Sequence, residues 1–332
     1  MLTVLILSMT GTYAASLVLD ALISTSDTSE ELPENETFTP SSGSLIEDLI
    51  DPTLEDTSTP VDPYADFDVV GTELDDHLVS EHNNGTQIAG LAGDDLIEGQ
   101  FDVFVEAGEG NDTIIGDTFF DAHGDQGDDV ITTAGFSDLY GDEGNDSLES
   151  GYNSNLYGGD GDDTLAVTDT SGFFISVLEG NDGSDLIYGG PNSRLDGGDG
   201  DDTINLAMDI LANDWASYFE EATITGGQGS DQINLGFDLQ DAYSSDAPLQ
   251  VATVTDFDPS EDVMLLTSEF FDETGSEIVG FEIEFDPASD SSAILVEVTL
   301  PFSSETSFVH VLLPDASGLT AEHIRIDASL TV

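Results

Sequence analysis

The chain has no cysteine and no lysine among its 332 residues, and only two arginines, Arg194 and Arg325. Without cysteine there is neither a disulfide nor a thiolate metal site. Against two basic residues stand 71 acidic ones, for a formal charge of -69. Such a chain has no cations to replace the counterions of nucleic acid phosphates, and anionic membrane surfaces repel it. Catalytic signatures are missing as well. There is no HExxH and no GxSxG. In "HLVSEH" the two histidines, His77 and His82, flank Glu81 at a spacing that fits no zinc helix, so the stretch reads as a surface turn. A glycosidase carboxylate pair cannot be singled out from so many acids. The GxGxxG-like fragments lack a βαβ context. "DGGDGDDTINLA" has no glutamate at its twelfth position and runs into strand-like residues, which excludes an EF-hand.

A charge this large opposes compaction through self-repulsion. Yet 38% of the residues are hydrophobic, too many for a plainly disordered chain. Bound cations reconcile the two. With thiolates absent and the histidines scattered, the available ligands are oxygens, which favour calcium or magnesium.

Residues 1–23, "MLTVLILSMTGTYAASLVLDALI", carry no charge before Asp20. The segment is long enough for a membrane anchor. It also suits a signal peptide without a basic start, or an apolar segment packed on the protein. Residues 24–66 are acidic and rich in serine, threonine and proline, and read as a disordered linker.

Beyond them the chain repeats itself. The stretches are "GTELDDHLV", "GLAGDDLIE", "AGEGNDTII", "GDQGDDVIT", "GDEGNDSLE", "GGDGDDTLA", "GNDGSDLIY", "GGDGDDTIN" and "GGQGSDQIN". The sixth residue is always aspartate: Asp76, Asp95, Asp112, Asp129, Asp146, Asp163, Asp185, Asp202 and Asp231. The eighth is always leucine or isoleucine, and the fourth is glycine except at Leu74. Two residues before each stretch stands another apolar column: Val69, Ile88, Val105, Ala122, Leu139, Leu156, Leu178, Leu195 and Ile224. Fixed-period self-similarity of this kind means stacked coils. Each coil of about 17 residues supplies two short strands, one per apolar column. The strands stack into two parallel sheets with a narrow core between them, coil on coil at about 4.8 Å. One coil cannot bury its apolar pair alone, so neighbours are required.

The sixth-position aspartates are 19, 17, 17, 17, 17, 22, 17 and 29 residues apart. The two long spacings take their extra residues from "TDTSGFFIS" and "MDILANDWASYFEEA", both on the edge opposite the Gly-Asp turns. One edge tolerates insertion and the other keeps register, so the Gly-Asp edge has a geometric task. Glycines there permit positive φ and close backbone approach. Stacked turns then gather carbonyls and carboxylates around one gap, matching calcium's demand for six to eight oxygens. Facing carboxylates with no cation between them would repel. The third and fifth positions, mostly Asp, Glu, Asn or Gln, read as a solvated acidic face.

The pattern GGxGxDxUx, matched in full by "GGDGDDTLA" and "GGDGDDTIN", resembles the calcium-binding nonapeptide repeat of RTX (haemolysin-type) proteins. The resemblance covers residues 67–240. It implies an all-β fold, a right-handed parallel β-roll or β-solenoid. Calcium would lie between coils, held by the nine aspartates with backbone carbonyls near Gly93, Gly108, Gly110, Gly127, Gly144, Gly159, Gly161, Gly183, Gly198, Gly200, Gly227 and Gly229. The nonapeptide occupies only every other turn here, so calcium is expected along one edge, several ions, with at most one per gap. Leu74 and the wide last spacing set the first and last turns apart.

Residues 241–332 change character. "VATVTDFDPSEDVMLL" resembles the segment that follows the last coil in the family. "FEIEF", "AILVEVTL", "SFVHVLL" and "HIRIDASLTV" alternate with period two and read as an antiparallel β cap that protects the open sheet edge. The resemblance also implies export, through a C-terminal signal or through residues 1–23. The expectation is a non-enzymatic calcium-binding protein, secreted or anchored at the cell surface, with a structural, adhesion or matrix role. Its partners beyond calcium would be extracellular glycans or cell-surface components, and it would touch a membrane only through residues 1–23. The alternative is an accessory module of an exported polysaccharide- or protein-modifying enzyme.

Overall fold

A computed structural model describes residues 67–80, 85–168, 174–210, 221–239, 249–267, 277–286, 291–299, 306–314, 316 and 318–326. The expected anchor or signal at 1–23 and linker at 24–66 lie outside the described residues, as do 169–173 and 211–220 within the two long insertions.

The apolar columns become two sheets. The first joins Val69–Val70, Thr86–Ala92, Phe101–Glu109, Thr118–Gln126, Asp138–Glu143, Asn155–Asp160, Val177–Asp182, Arg194–Asp199, Ala222–Gln228 and Leu249–Val254 in that order. The second runs His77–Val79, Leu96–Glu98, Thr113–Ile115, Val130–Thr132, Ser147–Ser150, Thr164–Val167, Leu186–Gly189, Thr203–Ile210, Gln232–Leu239, Val263–Thr267 and Ile324–Ile326. Every pairing among these is parallel, so the repeat forms a parallel β-roll.

Register follows the columns residue by residue. Leu139, Leu156, Leu178, Leu195 and Ile224 are aligned in one sheet, and Leu148, Leu165, Ile187, Ile204 and Ile233 in the other. All are buried. Burying each such side chain contributes about 1.5–3 kcal/mol, and a slip of one residue would turn every one of them to water. The register holds across both long spacings, Leu165 on Ile187 and Ile204 on Ile233. In the later coils one further inward residue is buried in each strand of the second sheet: Leu206, Leu235 and Leu266 join Ile204, Ile233 and Met264.

The parallel ladders continue past the ninth motif. Val254 aligns with Ile224, and Met264 with Ile233. The intervening turn, Phe257 to Met264, is a degenerate tenth copy: Asp262 and Met264 take the sixth and eighth positions, with one extra residue before them. It lacks every glycine of the pattern, which hides it from a motif reading.

The C-terminal runs divide. Glu277–Asp286, Ser291–Thr299 and Thr306–Leu313 pair antiparallel, as their alternation implies, and extend the first sheet from Leu249–Val254. Ile278, Ile294, Val296, Val298, Val309, Val311 and Leu313 fill their buried face. The outermost strand carries Glu282, Glu284 and Asp286, a charged edge that discourages pairing with another chain. Ile324–Ile326 departs from the antiparallel reading: it pairs parallel with Val263–Thr267. Period-two alternation fixes which face is buried and is silent on strand direction.

Candidate metal centre

The Gly-Asp turns stack on one edge of the roll and are threaded by two opposed ladders of hydrogen bonds. In the first, the backbone N–H of each sixth-position aspartate donates to Oδ1 of the aspartate one turn ahead. It runs Asp76 to Asp95, Asp95 to Asp112, Asp112 to Asp129, Asp129 to Asp146, Asp146 to Asp163 and Asp163 to Asp185, each at 2.7 Å. It continues from Asp185 to Asp202 at 2.8 Å, then to Asp231 and on to Asp262 at 3.0 Å each. In the second, the fifth-position side chain accepts from the fifth-position amide one turn ahead: Asn111 from Asp128 at 2.8 Å, Asp128 from Asn145 at 2.9 Å, Asn145 from Asp162 at 2.9 Å and Asp162 from Ser184 at 2.8 Å. The fifth position, read from sequence as a solvated face, therefore also holds the stack together. Its preference for short side chains with an acceptor oxygen was the available signal.

The turn backbone explains the glycines. The fourth-position residues Gly93, Gly110, Gly127, Gly144, Gly161, Gly183, Gly200 and Gly229 all have positive φ, between 114° and 148°. Each lies against the fourth-position carbonyl of the turn before it, and a Cβ on Gly110, Gly127, Gly144, Gly161, Gly183, Gly200 or Gly229 would overlap that oxygen or its carbon. The second position is also left-handed: Gly108, Gly159, Gly198 and Gly227, but also Leu91, Asp125, Asp142 and Asn181.

One oxygen per turn is left over. Asp95, Asp112, Asp129, Asp146, Asp163, Asp185 and Asp202 are at most 2% exposed, and the Oδ2 of each is buried without a hydrogen-bond partner. A buried, unpaired carboxylate oxygen is costly, and seven in register call for a ligand. They share one geometry. In the turns of Asp129, Asp146, Asp163, Asp185 and Asp202, a Cβ on the first-position glycine would run into Oδ2 of that turn and the first-position carbonyl of the next. For Gly158 these atoms are Asp163 Oδ2 and the Gly180 carbonyl oxygen. The missing side chain leaves an oxygen-lined cradle between coils. The first-position carbonyls of Gly141, Gly158, Gly180, Gly197 and Gly226, which border it, were not among the carbonyls expected from sequence. The expected fourth-position carbonyls lie along the stacking direction over the next turn.

The terminal turns differ. Asp76 Oδ2 accepts from the Thr72 amide at 2.7 Å and its hydroxyl at 2.8 Å. Asp262 Oδ2 accepts from the Asp258 amide at 2.7 Å. At the ninth turn, the amides of Gly226 and Gly227 donate to the two oxygens of Asp256, 2.9 Å each. Backbone amides and side chains of neighbouring residues thus satisfy the ends of the stack.

Burial is the main influence on the interior carboxyls, and neighbouring carboxylates add to it. Asp112, Asp146, Asp185, Asp202 and Asp231 are pushed up to about 6, Asp163 to about 7 and Asp129 to about 8. Asp95 is raised for the same reason. In each case the amide that binds Oδ1 opposes the rise. A bound cation would reverse this balance by favouring the charged form. Among the described residues no three acidic or imidazole side chains converge on a point. A cation held here therefore draws much of its shell from backbone carbonyls, which suits a hard, high-coordination ion.

Comparison with known families agrees with this geometry. The RTX calcium-binding nonapeptide repeat, in four copies, matches residues 140–167 and 223–238. No curated protein matches the chain. The matched family is a calcium-binding repeat rather than a catalytic one. Among the described residues no helix is long and apolar enough to cross a membrane.

Proposed function

We propose, from the premise that this chain carries RTX calcium-binding repeats, that calcium seated between the Gly-Asp turns switches residues 67–332 from an expanded polyanion to the folded roll. The supporting observation is the row of seven buried Oδ2 atoms without partners. Asp95, Asp112, Asp129, Asp146, Asp163, Asp185 and Asp202 would each supply Oδ2, with backbone carbonyls of the same and the following turn completing the shell. Asp76 would contribute least, since Thr72 already binds its Oδ2, and Asp231 would close the row. The ion supplies positive charge where the chain has none. The chain's own residues do the rest: Oδ1 fixes each carboxylate to the neighbouring coil, and the glycines leave the space.

Coupled folding gives the protein a place to work. In a low-calcium cytoplasm the coils repel and stay open. Extracellular calcium modules bind at about 10⁻⁴ to 10⁻³ M, so the roll would form after export. The role that fits is a secreted or surface-held structural element, a rigid spacer in a matrix or adhesion layer, with residues 1–23 as signal or anchor.

The test is far-UV circular dichroism of the full chain during calcium titration at neutral pH, with magnesium as control. A cooperative gain of strand signal with calcium alone is expected. Full strand signal in chelator, unchanged by calcium, would refute the coupling.

A further inference from the structure

The edge opposite the Gly-Asp turns carries five aromatic rings in one continuous ladder. Phe101 meets Phe119 at 5.0 Å between centroids, and Phe119 stacks on Phe136 at 5.1 Å with planes 6° apart. Phe136 meets Tyr152 edge-on at 5.1 Å, and Tyr152 stacks with Phe174 at 5.2 Å. Each ring comes from a successive coil. Four of the five keep 37% to 48% of their surface in water, so they are not core residues.

The backbone under them is held in an unfavourable state. Asp102, Phe119, Phe136 and Asn153 occupy equivalent places in successive turns, with φ of 56°, 61°, 53° and 55°. Asp and Asn adopt this left-handed conformation readily, whereas a bulky aromatic there is an outlier. At Phe119 only the two neighbouring rings offset the strain, because the residue is 48% exposed. Strain kept at an exposed position for so little burial is a mark of function, and so is a contiguous apolar strip on a surface.

The chemistry of the strip narrows its occupant. A cationic partner would be drawn to the acidic turns of the other edge. An anionic one is repelled by a chain of charge -69. The ladder's middle turns, Thr133–Ser137 and Gly151–Ser154, contain no carboxylate. A second copy is disfavoured as well. The ladder is one ring wide and four coil steps long, about 20 Å at the usual strand spacing. That falls well short of the roughly 800 Å² per partner of a stable interface. What matches is a slender, uncharged chain with apolar C–H faces and hydroxyls at regular intervals. Exposed Asp102, Asp117 and Asn153 beside the rings can accept hydrogen bonds from hydroxyls. We propose that this aromatic ladder binds an uncharged polysaccharide along the axis of the coils.

The test compares the full chain with a Phe119→Asn/Phe136→Asn variant, both in saturating calcium, on amorphous cellulose, chitin and hydroxyethylcellulose gels. Asparagine suits the left-handed turn, so the variant should melt no lower than the parent. The parent should be retained by at least one polymer, and the variant roughly tenfold more weakly, as loss of two aromatic contacts implies. Equal retention of both proteins, or no retention of the parent on any polymer, would overturn the assignment. So would parent-only binding to phosphatidylcholine vesicles, or a parent-only dimer in sedimentation, since the ladder would then serve a lipid surface or self-assembly.

Discussion

The two edges of the roll solve the same problem in different ways. Both must satisfy polar groups where the chain leaves one sheet and enters the other. On the edge opposite the Gly-Asp turns, a run of hydroxyls joins the backbone bonds: Thr133 with Ser150 at 2.8 Å, Ser150 with Ser154 at 2.8 Å, and Ser154 accepting from the Ser137 amide at 3.1 Å. A hydroxyl both donates and accepts, so the row closes on itself. A carboxylate only accepts. On the Gly-Asp edge the seven interior aspartates, Asp95 to Asp202, spend Oδ1 on a neighbouring amide and keep Oδ2 unpaired. Among the described residues the hydroxyl row is satisfied by the polypeptide itself, whereas the interior carboxylates each leave an oxygen open to a cation. The hydroxyl edge is also the one that takes insertions and displays side chains.

Four experiments sharpen or break that contrast, beginning with the largest expected effect. Gly161→Val places a Cβ against the Gly144 carbonyl at a φ of 140°. It should cost about 3 kcal/mol or more, even in saturating calcium. Urea unfolding would show this as a lowered midpoint, and an unchanged midpoint would mean that the turns do not stack as described.

Asp163→Asn should act in opposite senses with and without the ion. It keeps the Oδ1 acceptor for Asp146 and removes the charge. The calcium needed for folding should rise roughly tenfold, on the scale of losing one member of a metal shell. The calcium-free form should become harder to unfold. Asp76→Asn, where Thr72 already holds Oδ2, should shift the calcium midpoint by much less. Equal shifts at the two positions would remove the distinction between interior and terminal turns.

Acid should substitute in part for calcium. The interior carboxyls lie at about 6 to 8 in the folded chain against 3.8 for the free group. A raised carboxyl favours the folded state while it is protonated. That contribution is whole below about 3.8 and is lost as pH rises through 6 to 8. Chelator-treated protein should therefore show more strand signal at pH 4.5 than at pH 8. A calcium-free roll more stable at pH 8 than at pH 4.5 would contradict the burial of these groups.

The smallest effect belongs to the self-satisfied edge. Four Gly/Ser residues inserted between Gly190 and Pro191 break the local turn bonds of Gly190 with Ser193 and leave the strand ladders in place. They should cost under about 1 kcal/mol by loop-closure arithmetic. The same insertion between Gly161 and Asp162 should abolish calcium-dependent folding of the adjacent coils. Similar tolerance at both sites would dissolve the asymmetry.

Much of the fold was legible because a stacked coil repeats one local environment, so nine weak signals reinforce each other. The apolar columns predict the register of both sheets, including across spacings of 22 and 29. The tenth turn was not legible: its "FDPSEDVML" keeps Asp262 and Met264 and drops the glycines. Its place is imposed by the coil it packs on, through the Asp231 amide and Asp262 Oδ1. The aromatic ladder was equally hidden. Phe101, Phe119, Phe136, Tyr152 and Phe174 are unevenly spaced in sequence and become neighbours only when the coils stack.

The sequence by itself determined that the chain coils, that the Gly-Asp turns fall on one edge, and that the groups gathered there are oxygens, because period, glycine placement and composition are local properties. Only the tertiary structure decided which carboxylates keep an unpaired oxygen. Asp76 and Asp163 occupy the same motif position, yet one has Thr72 on its Oδ2 and the other has nothing. Hydrogen-bond completeness depends on what the neighbouring turns bring, and no single repeat contains that information.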